Sequence, residues 1–321
     1  MMKDKKKILI TGSQGIIGAG LVKTLSKKGH TIIGLGRRHG ENQYGFSLHS
    51  DSDTPNYVRC DISNFRQLSR VFDELGEFDY VYNCAAEFGR WNGEDYYENL
   101  WETNAIGTKN LIRLQEKYGF RIIHFSSSEV YGDYPNIMIE NAMDKYEIKQ
   151  LNDYAMTKWV NEMQIKNSAL QYGTESVIVR IFNTYGPGEY YSPYRSVNCR
   201  FLYCALKGLE WTVYRGHSRT STYLQDTVNT VSNIIENFKS GETYNIGGKD
   251  LHSIEELSDI IIEITGANPS LVNFKDSEIL TTTKKIVDIS KSIEDLNHKN
   301  TVSLYDGLKI TADWMKSIYN L

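Results

Sequence analysis

The chain has 321 residues with 40% apolar and 24% charged side chains, the make-up of a soluble globular protein long enough for one large α/β domain or for two lobes around one cleft. A formal charge of −4 and a pI near 6.0 give no basic field, which disfavours nucleic acid as a partner. The four cysteines (Cys60, Cys84, Cys199, Cys204) lack CxxC or Cys/His spacing, so neither a metal site nor a disulfide framework is indicated and a reducing cytoplasmic setting is expected.

The chain opens on lysines (Lys3, Lys5, Lys6, Lys7) leading into a short apolar run, Ile8 to Ile10, with the length of one buried strand and far too short to cross a membrane. Gly12, Gly15 and Gly18 follow at intervals of three, and Ile16, Ile17, Leu21, Val22 and Leu25 supply one apolar helix face. This is strand, glycine loop, helix. Gly12 suits a tight turn, Gly15 admits a pyrophosphate close to the backbone, and Gly18 lets the helix pack on the strand. The free N–H groups of the helix start complete a phosphate cradle, although glycine turns before helices also serve packing alone.

His30 to Leu35 reads as a second strand, followed by Gly36, Arg37 and Arg38. With no acid at this point to hold ribose hydroxyls, arginine favours NADP through a 2′-phosphate; solvated or adenine-stacked arginines keep NAD open. Residues 40–56 read as a loop. Tyr57 to Ile62 reads as a third strand ending in Asp61, which either touches adenine or caps a helix expected over Asn64 to Leu75. Phe78 to Ala86 (FDYVYNCAA) is the fourth strand, whose small residues Ala85 and Ala86 leave room for a cofactor. Residues 94–118 carry a helical pattern, and Arg121 to Ser126 is the fifth strand. Strands alternating with helices predict a Rossmann-type, doubly wound parallel sheet with its cleft at the carboxyl ends of the strands.

Past the fifth strand come Ser126-Ser127-Ser128-Glu129-Val130-Tyr131-Gly132, and Tyr154-Ala155-Met156-Thr157-Lys158 puts a phenol and an ammonium on one helix face. A tyrosine base needs its pKa lowered by roughly 3 units, which a nearby lysine and an oxidised nicotinamide can supply. Ser127 would hydrogen-bond the same substrate hydroxyl. On an ordinary surface helix, Tyr-x-x-x-Lys is a mere pair; the glycine loop and the serine after the fifth strand argue for catalysis.

The set TGSQGIIG, NCAA, SSSEVYG, YAMTK and Arg180-Ile-Phe-Asn183-Thr-Tyr-Gly-Pro-Gly188, in this order, resembles the extended short-chain dehydrogenase/reductase family, in its nucleotide-sugar epimerase and dehydratase branch. The resemblance spans essentially the whole chain. It implies Tyr154 as base, Lys158 also holding the nicotinamide ribose, Ile16, Ile17 and Ile62 beside the cofactor, and Asn183, Ser127 and Ser128 at the substrate. Asn104 matches a family asparagine, with a structural role equally open. Glu129 resembles the acid of 4,6-dehydratases and related decarboxylases. A carboxylate there can remove the C5 proton once C4 is oxidised, so 4,6-dehydration is expected. Alternatives are 4-epimerisation, C4 oxidation, decarboxylation, or a non-catalytic dinucleotide sensor.

Beyond residue 181 the β/α alternation weakens, so a dinucleotide-binding domain (1–180) and a smaller substrate-binding lobe (181–321) are expected, and Thr243 to Gly248 (TYNIGG) resembles the family strand that returns to the first domain, within 223–248. Arg219, in RTSTYLQD, resembles a family arginine that binds the substrate pyrophosphate, and Arg195 is a second candidate. The last elements expected are a helix over Ser253 to Thr265, a strand near Ser270 to Phe274 and a helix over Ser303 to Ile318. A homodimer is expected through the helices in 94–118 and 154–170, with no membrane partner.

Overall fold

The computed structural model describes residues 5–38 and 57–321; Lys3 and the loop expected over 40–56 lie outside the described residues. Seven strands form one sheet: β1 (Lys7–Thr11), β2 (Thr31–Gly36), β3 (Tyr57–Arg59), β4 (Tyr80–Asn83), β5 (Arg121–Ser127), β6 (Ser176–Ile181) and β7 (Thr243–Ile246). Their spatial order is β7-β6-β5-β4-β1-β2-β3, and every pairing is parallel. The result is a Rossmann-like α/β fold. The strand order reverses between β1 and β4, so a crevice opens where their carboxyl ends diverge.

A parallel sheet covered on both faces needs apolar side chains pointing both ways. In β1, Ile8 and Ile10 join one core with Leu21 and Leu25 of α1 (Ile16–Lys27), while Leu9 joins the opposite core with Leu68 and Phe72 of α2 (Phe65–Leu75). That second core also holds Leu111 of α3 (Gly107–Tyr118) and Ile165 of α4 (Asp153–Tyr172). Expected strand ends are trimmed. The third strand stops at Arg59 and the fourth runs only over Tyr80–Asn83, because the residues beyond them turn away at the crevice.

The helix expected over 94–118 is not continuous. It breaks into turns at Arg90–Asp95 and Tyr97–Trp101, a π-helical turn at Glu102–Ile106, and α3. The π turn buries Thr103 and Asn104, which a regular helix would have aimed elsewhere.

A further core gathers Tyr185, Phe201, Trp211, Leu257, Leu308 and Met315, packing α5 (Val197–Lys207), α7 (Ile254–Thr265) and α8 (Leu304–Tyr319) together. Between them α6 (Leu224–Ser232) places Val228 and Val231 against the first core, and β7 completes the sheet beside β6. Residues 272–287 then run back across the molecule. Val272–Lys275 pairs with Trp211–Tyr214, and Met138 bridges to Val287. No helix among the described residues is long and apolar enough to cross a membrane.

Candidate active site

Gly12 turns with φ +63°, and a Cβ there would lie 2.8 Å from the Ala85 amide nitrogen. A Cβ on Gly18 would meet the Gly12 carbonyl oxygen at 2.2 Å, while one on Gly15 would come within 3.2 Å of the same atom. So Gly18 keeps α1 seated on the loop. α1 has Gly15 as its cap, without a side-chain acceptor, and carries no acid in its first turn. Its first N–H groups therefore remain available to an anion, as a pyrophosphate cradle requires. Thr11 ties the crevice together, donating to Asn83 at 2.9 Å and accepting from the Ala85 N–H at 3.1 Å.

One cleft of about 480 Å³ collects nearly all the expected residues: Gly12, Gly15, Ile16, Ile17 and Gly18 at the loop, with Arg37, Arg38, Asp61, Ile62, Ala85 and Ala86 around it. Ser127, Ser128, Glu129, Tyr154, Lys158, Asn183 and Arg195 line it further along. Asp61 accepts from both the N–H and the hydroxyl of Ser63, and Asn64 caps α2, so Asp61 braces the turn while facing the cleft. Arg195 stacks on the Phe88 ring at 4.3 Å. Asn183, at φ 40°, donates to the Thr220 carbonyl at 3.1 Å, a backbone region that asparagine tolerates.

Arg219 departs from expectation. It is absent from the described residues that line the cleft, and its guanidinium donates to the Ser218 and Thr283 carbonyls.

Asn152 caps α4 by accepting from the Ala155 N–H at 2.9 Å, which fixes Tyr154 in the first turn. Tyr154 hydrogen-bonds to Ser127, whose hydroxyl oxygen also accepts from the Glu129 N–H at 3.2 Å. Burial pushes the phenol up to about 12, and the Glu129 charge adds to that while the Ser127 hydrogen bond opposes it. One turn on, Lys158 donates to the Phe125 carbonyl at 2.8 Å, and its ammonium lies 5.8 Å from the centre of the Tyr154 ring. Burial lowers Lys158 to about 8, against the pull of Cys84 and Glu162. Below the serines, Glu162 holds Arg180 with contacts of 2.7 and 3.0 Å and accepts from Ser126 at 2.5 Å.

Lys285 was invisible to the sequence reading. Its ammonium pairs with Glu129 and lies 3.3 Å from the Ser128 hydroxyl oxygen, although 157 residues separate the lysine from that serine. The side chain is 1% exposed, while that of Glu129 is 23% exposed. Burial would raise the Glu129 carboxyl, but Lys285 overcomes it, with help from Arg219 and Asn152, so the group sits below its ordinary value. Burial lowers Lys285, opposed by Glu129 and reinforced by the Arg219 charge. Lys285 and Glu129 thus form a buried pair whose carboxylate lines the cleft, while the Arg219 charge, which also faces Glu278, acts on both from outside that lining.

Glu87 was also missed. Its backbone N–H donates to Asn104 at 2.9 Å, Asn104 returns a bond to the Glu87 carbonyl at 3.0 Å, and the Asn104 amide also donates to Thr157 of α4. The small residues of NCAA flagged the position before it. Nothing in TTTKKIVDIS flagged Lys285.

Residues 8–247 match the model of the NAD dependent epimerase/dehydratase family. Among curated proteins, a UDP-N-acetyl-alpha-D-glucosaminuronate decarboxylase of Bacillus cytotoxicus is 31% identical over 98% of this chain and 99% of its own. A dTDP-glucose 4,6-dehydratase of Salmonella typhimurium is 26% identical over 96% of this chain and 92% of its own. Among solved structures, a UDP-glucuronic acid 4-epimerase of Bacillus cereus, in complex with UDP-glucuronic acid and NAD, superposes with a TM-score of 0.86 at 27% identity, over 98% of this chain and 100% of its own.

Proposed function

Because the chain belongs to the NAD-dependent epimerase/dehydratase family, we propose that it oxidises C4 of a nucleotide-linked hexuronic acid and then releases the C6 carboxylate as carbon dioxide. The glycine loop, Arg37, Arg38, Asp61, Ile62, Ala85 and Ala86 would hold the dinucleotide, and the close fits at Gly12 and Gly18 are those of a loop shaped for one. A bound nicotinamide supplies two-electron oxidation and reduction at the sugar carbon.

Tyr154 takes the C4 hydroxyl proton, with Ser127 hydrogen-bonded to the same oxygen. A phenol held near 12 is a poor base, so its ionisation at neutral pH depends on the cationic Lys158 and on the positive charge of the oxidised cofactor. With C4 a ketone, the C6 carboxylate is a β-keto acid. The C5–C6 bond breaks, its electron pair moves toward the C4 carbonyl oxygen, and the Tyr154 O–H stabilises the resulting enolate until C5 takes a proton from water. Tyr154 then returns its proton to the C4 oxygen as the hydride comes back to C4, so the product differs from the substrate by carbon dioxide alone.

What supports decarboxylation is the 31% identity to the UDP-N-acetyl-alpha-D-glucosaminuronate decarboxylase of Bacillus cytotoxicus over nearly the whole chain, together with the Lys285 ammonium beside Glu129 and Ser128. A buried ammonium at this point suits an anionic C6 substituent. A neutral hydroxymethyl group makes no such demand. 4,6-Dehydration is the second outcome, supported by Glu129 itself, an ionised carboxylate beside the ring that can remove the C5 proton. The sequence alone favoured 4,6-dehydration, with decarboxylation among its alternatives; Lys285 is the reason decarboxylation is put first here.

Mass spectrometry after incubation with UDP-glucuronic acid, UDP-N-acetylglucosaminuronic acid, UDP-glucose and dTDP-glucose separates them. Loss of carbon dioxide from an acid is the expected result. Loss of water from a neutral sugar, or an unchanged mass at a shifted chromatographic position, would replace decarboxylation with dehydration or epimerisation.

A further inference from the structure

The end of β2 lacks the acid that ordinarily accepts the adenosine ribose hydroxyls, and carries Arg37 and Arg38 instead. Two arginines there would suit a 2′-phosphate. The structure gives one of them another partner. Arg37 forms an ion pair with the carboxylate of Glu87, which arrives from the loop after β4; both side chains line the cleft, 47% and 20% exposed.

Glu87 is built into place from every side. Asn92 donates to its second carboxylate oxygen at 3.0 Å, and Asn104 bonds both its backbone N–H and its carbonyl. Arg37 is anchored too, since the Arg59 side chain donates to its carbonyl at 3.1 Å. A carboxylate so braced does not swing aside at small cost.

We propose that Glu87 is the residue that selects NAD over NADP, by occupying Arg37 and by standing as a negative charge where a 2′-phosphate would have to sit. A phosphate dianion approaching Arg37 meets the Glu87 carboxylate and must break its ion pair; like charges repel, and the freed carboxylate is left half-buried. A ribose hydroxyl meets neither penalty, because an ionised carboxylate is an acceptor for hydroxyl donors. Glu87 thereby supplies, from the end of β4, the carboxylate that the end of β2 lacks. The proposal rests on dinucleotide binding in this cleft, but not on which sugar is processed.

The test is equilibrium binding of NAD and NADP to the dinucleotide-free protein, by calorimetry or by quenching of tryptophan fluorescence. Wild type should prefer NAD. Glu87→Gln keeps an acceptor for Asn92 and removes the charge, and should raise affinity for NADP relative to NAD by about tenfold or more, the scale of one charge-assisted hydrogen bond. The gain should vanish in the Arg37→Ala/Glu87→Gln double variant. Should Glu87→Gln fail to fold, Glu87→Ala takes its place: it removes the same charge with a smaller side chain and should give the same shift toward NADP.

Wild type preferring NADP, an affinity ratio untouched by Glu87→Gln, or a gain that survives loss of Arg37 would overturn the proposal. The last result would assign the phosphate contact to the exposed Arg38 instead. Binding of neither dinucleotide would overturn the reading of the cleft as well.

Discussion

Replacing Lys285 by methionine removes a buried ammonium while keeping a chain of similar length. Glu129 is then left with the Arg219 charge and the Asn152 hydrogen bond alone. Stranding one member of a buried ion pair costs about 3–5 kcal/mol, and the 23% exposure of the Glu129 side chain sets the loss at the lower end, about 3 kcal/mol at neutral pH. With a urea dependence of about 3 kcal/mol per molar, the unfolding midpoint should fall by about 1 M. The pH dependence has a defined sign. Glu129 is held below its ordinary value, so the pair's contribution is complete above the unfolded carboxyl value of about 4.3 and is lost as pH falls through the folded one. The gap between wild type and Lys285→Met should therefore shrink in acid, while Lys285, itself lowered by burial, makes it grow on the alkaline side. Release of carbon dioxide should slow by about 100-fold or more, with Lys285→Arg recovering part of it. An unchanged midpoint together with wild-type turnover would refute the reasoning.

Tyr154→Phe should remove C4 oxidation, lowering turnover by about 1,000-fold while dinucleotide binding stays within a few-fold of wild type, as separate kinetic and binding measurements would register. Lys158 is lowered by burial to about 8, so in the dinucleotide-free protein its ionisation opposes folding, fully below pH 8 and vanishing above its unfolded value of about 10.4. Stability relative to Lys158→Met should therefore rise with pH across that window, by about 3 kcal/mol in denaturant titrations; a flat difference would contradict it. Gly18→Ala should abolish dinucleotide binding in a calorimetric titration, since its Cβ would fall 2.2 Å from the Gly12 carbonyl oxygen.

The alternation of strands and helices was legible because each buried parallel strand is a short apolar run, and the loop after the first of them is spelled in glycines. Tyr154, Lys158 and Ser127 were legible because a helix and a strand end fix them at short spacing. Lys285 was not. It reaches Glu129 from a segment that belongs to no long helix or strand, held by Thr282 donating to the Gly132 carbonyl at 2.7 Å and by the bridge at Val287. Such a placement is a product of tertiary packing, and no periodicity encodes it. The Arg37–Glu87 pair escaped for the same reason, and so did the break in the helix over 94–118, where the π turn is decided by what Asn104 must bond rather than by its apolar spacing. Arg219 was placed at the substrate by its motif, yet its donors point at two carbonyls behind Glu129.

The last strand of the sheet has a consequence for biosynthesis. β7 lies beside β6, yet 61 residues separate the end of one from the start of the other, and α6 fills the first core from within that interval. A ribosome that has released the chain no further than Ile181 has exposed six strands without the seventh, leaving an unpaired parallel edge bearing Val177 and Val179 with no cover from Tyr244, Ile246, Val228 and Val231. Such an edge is a template for joining a second nascent chain. Productive folding is therefore set by arrival of the carboxyl-terminal half, and slowing translation between residues 181 and 243 should raise aggregation and chaperone demand rather than relieve them.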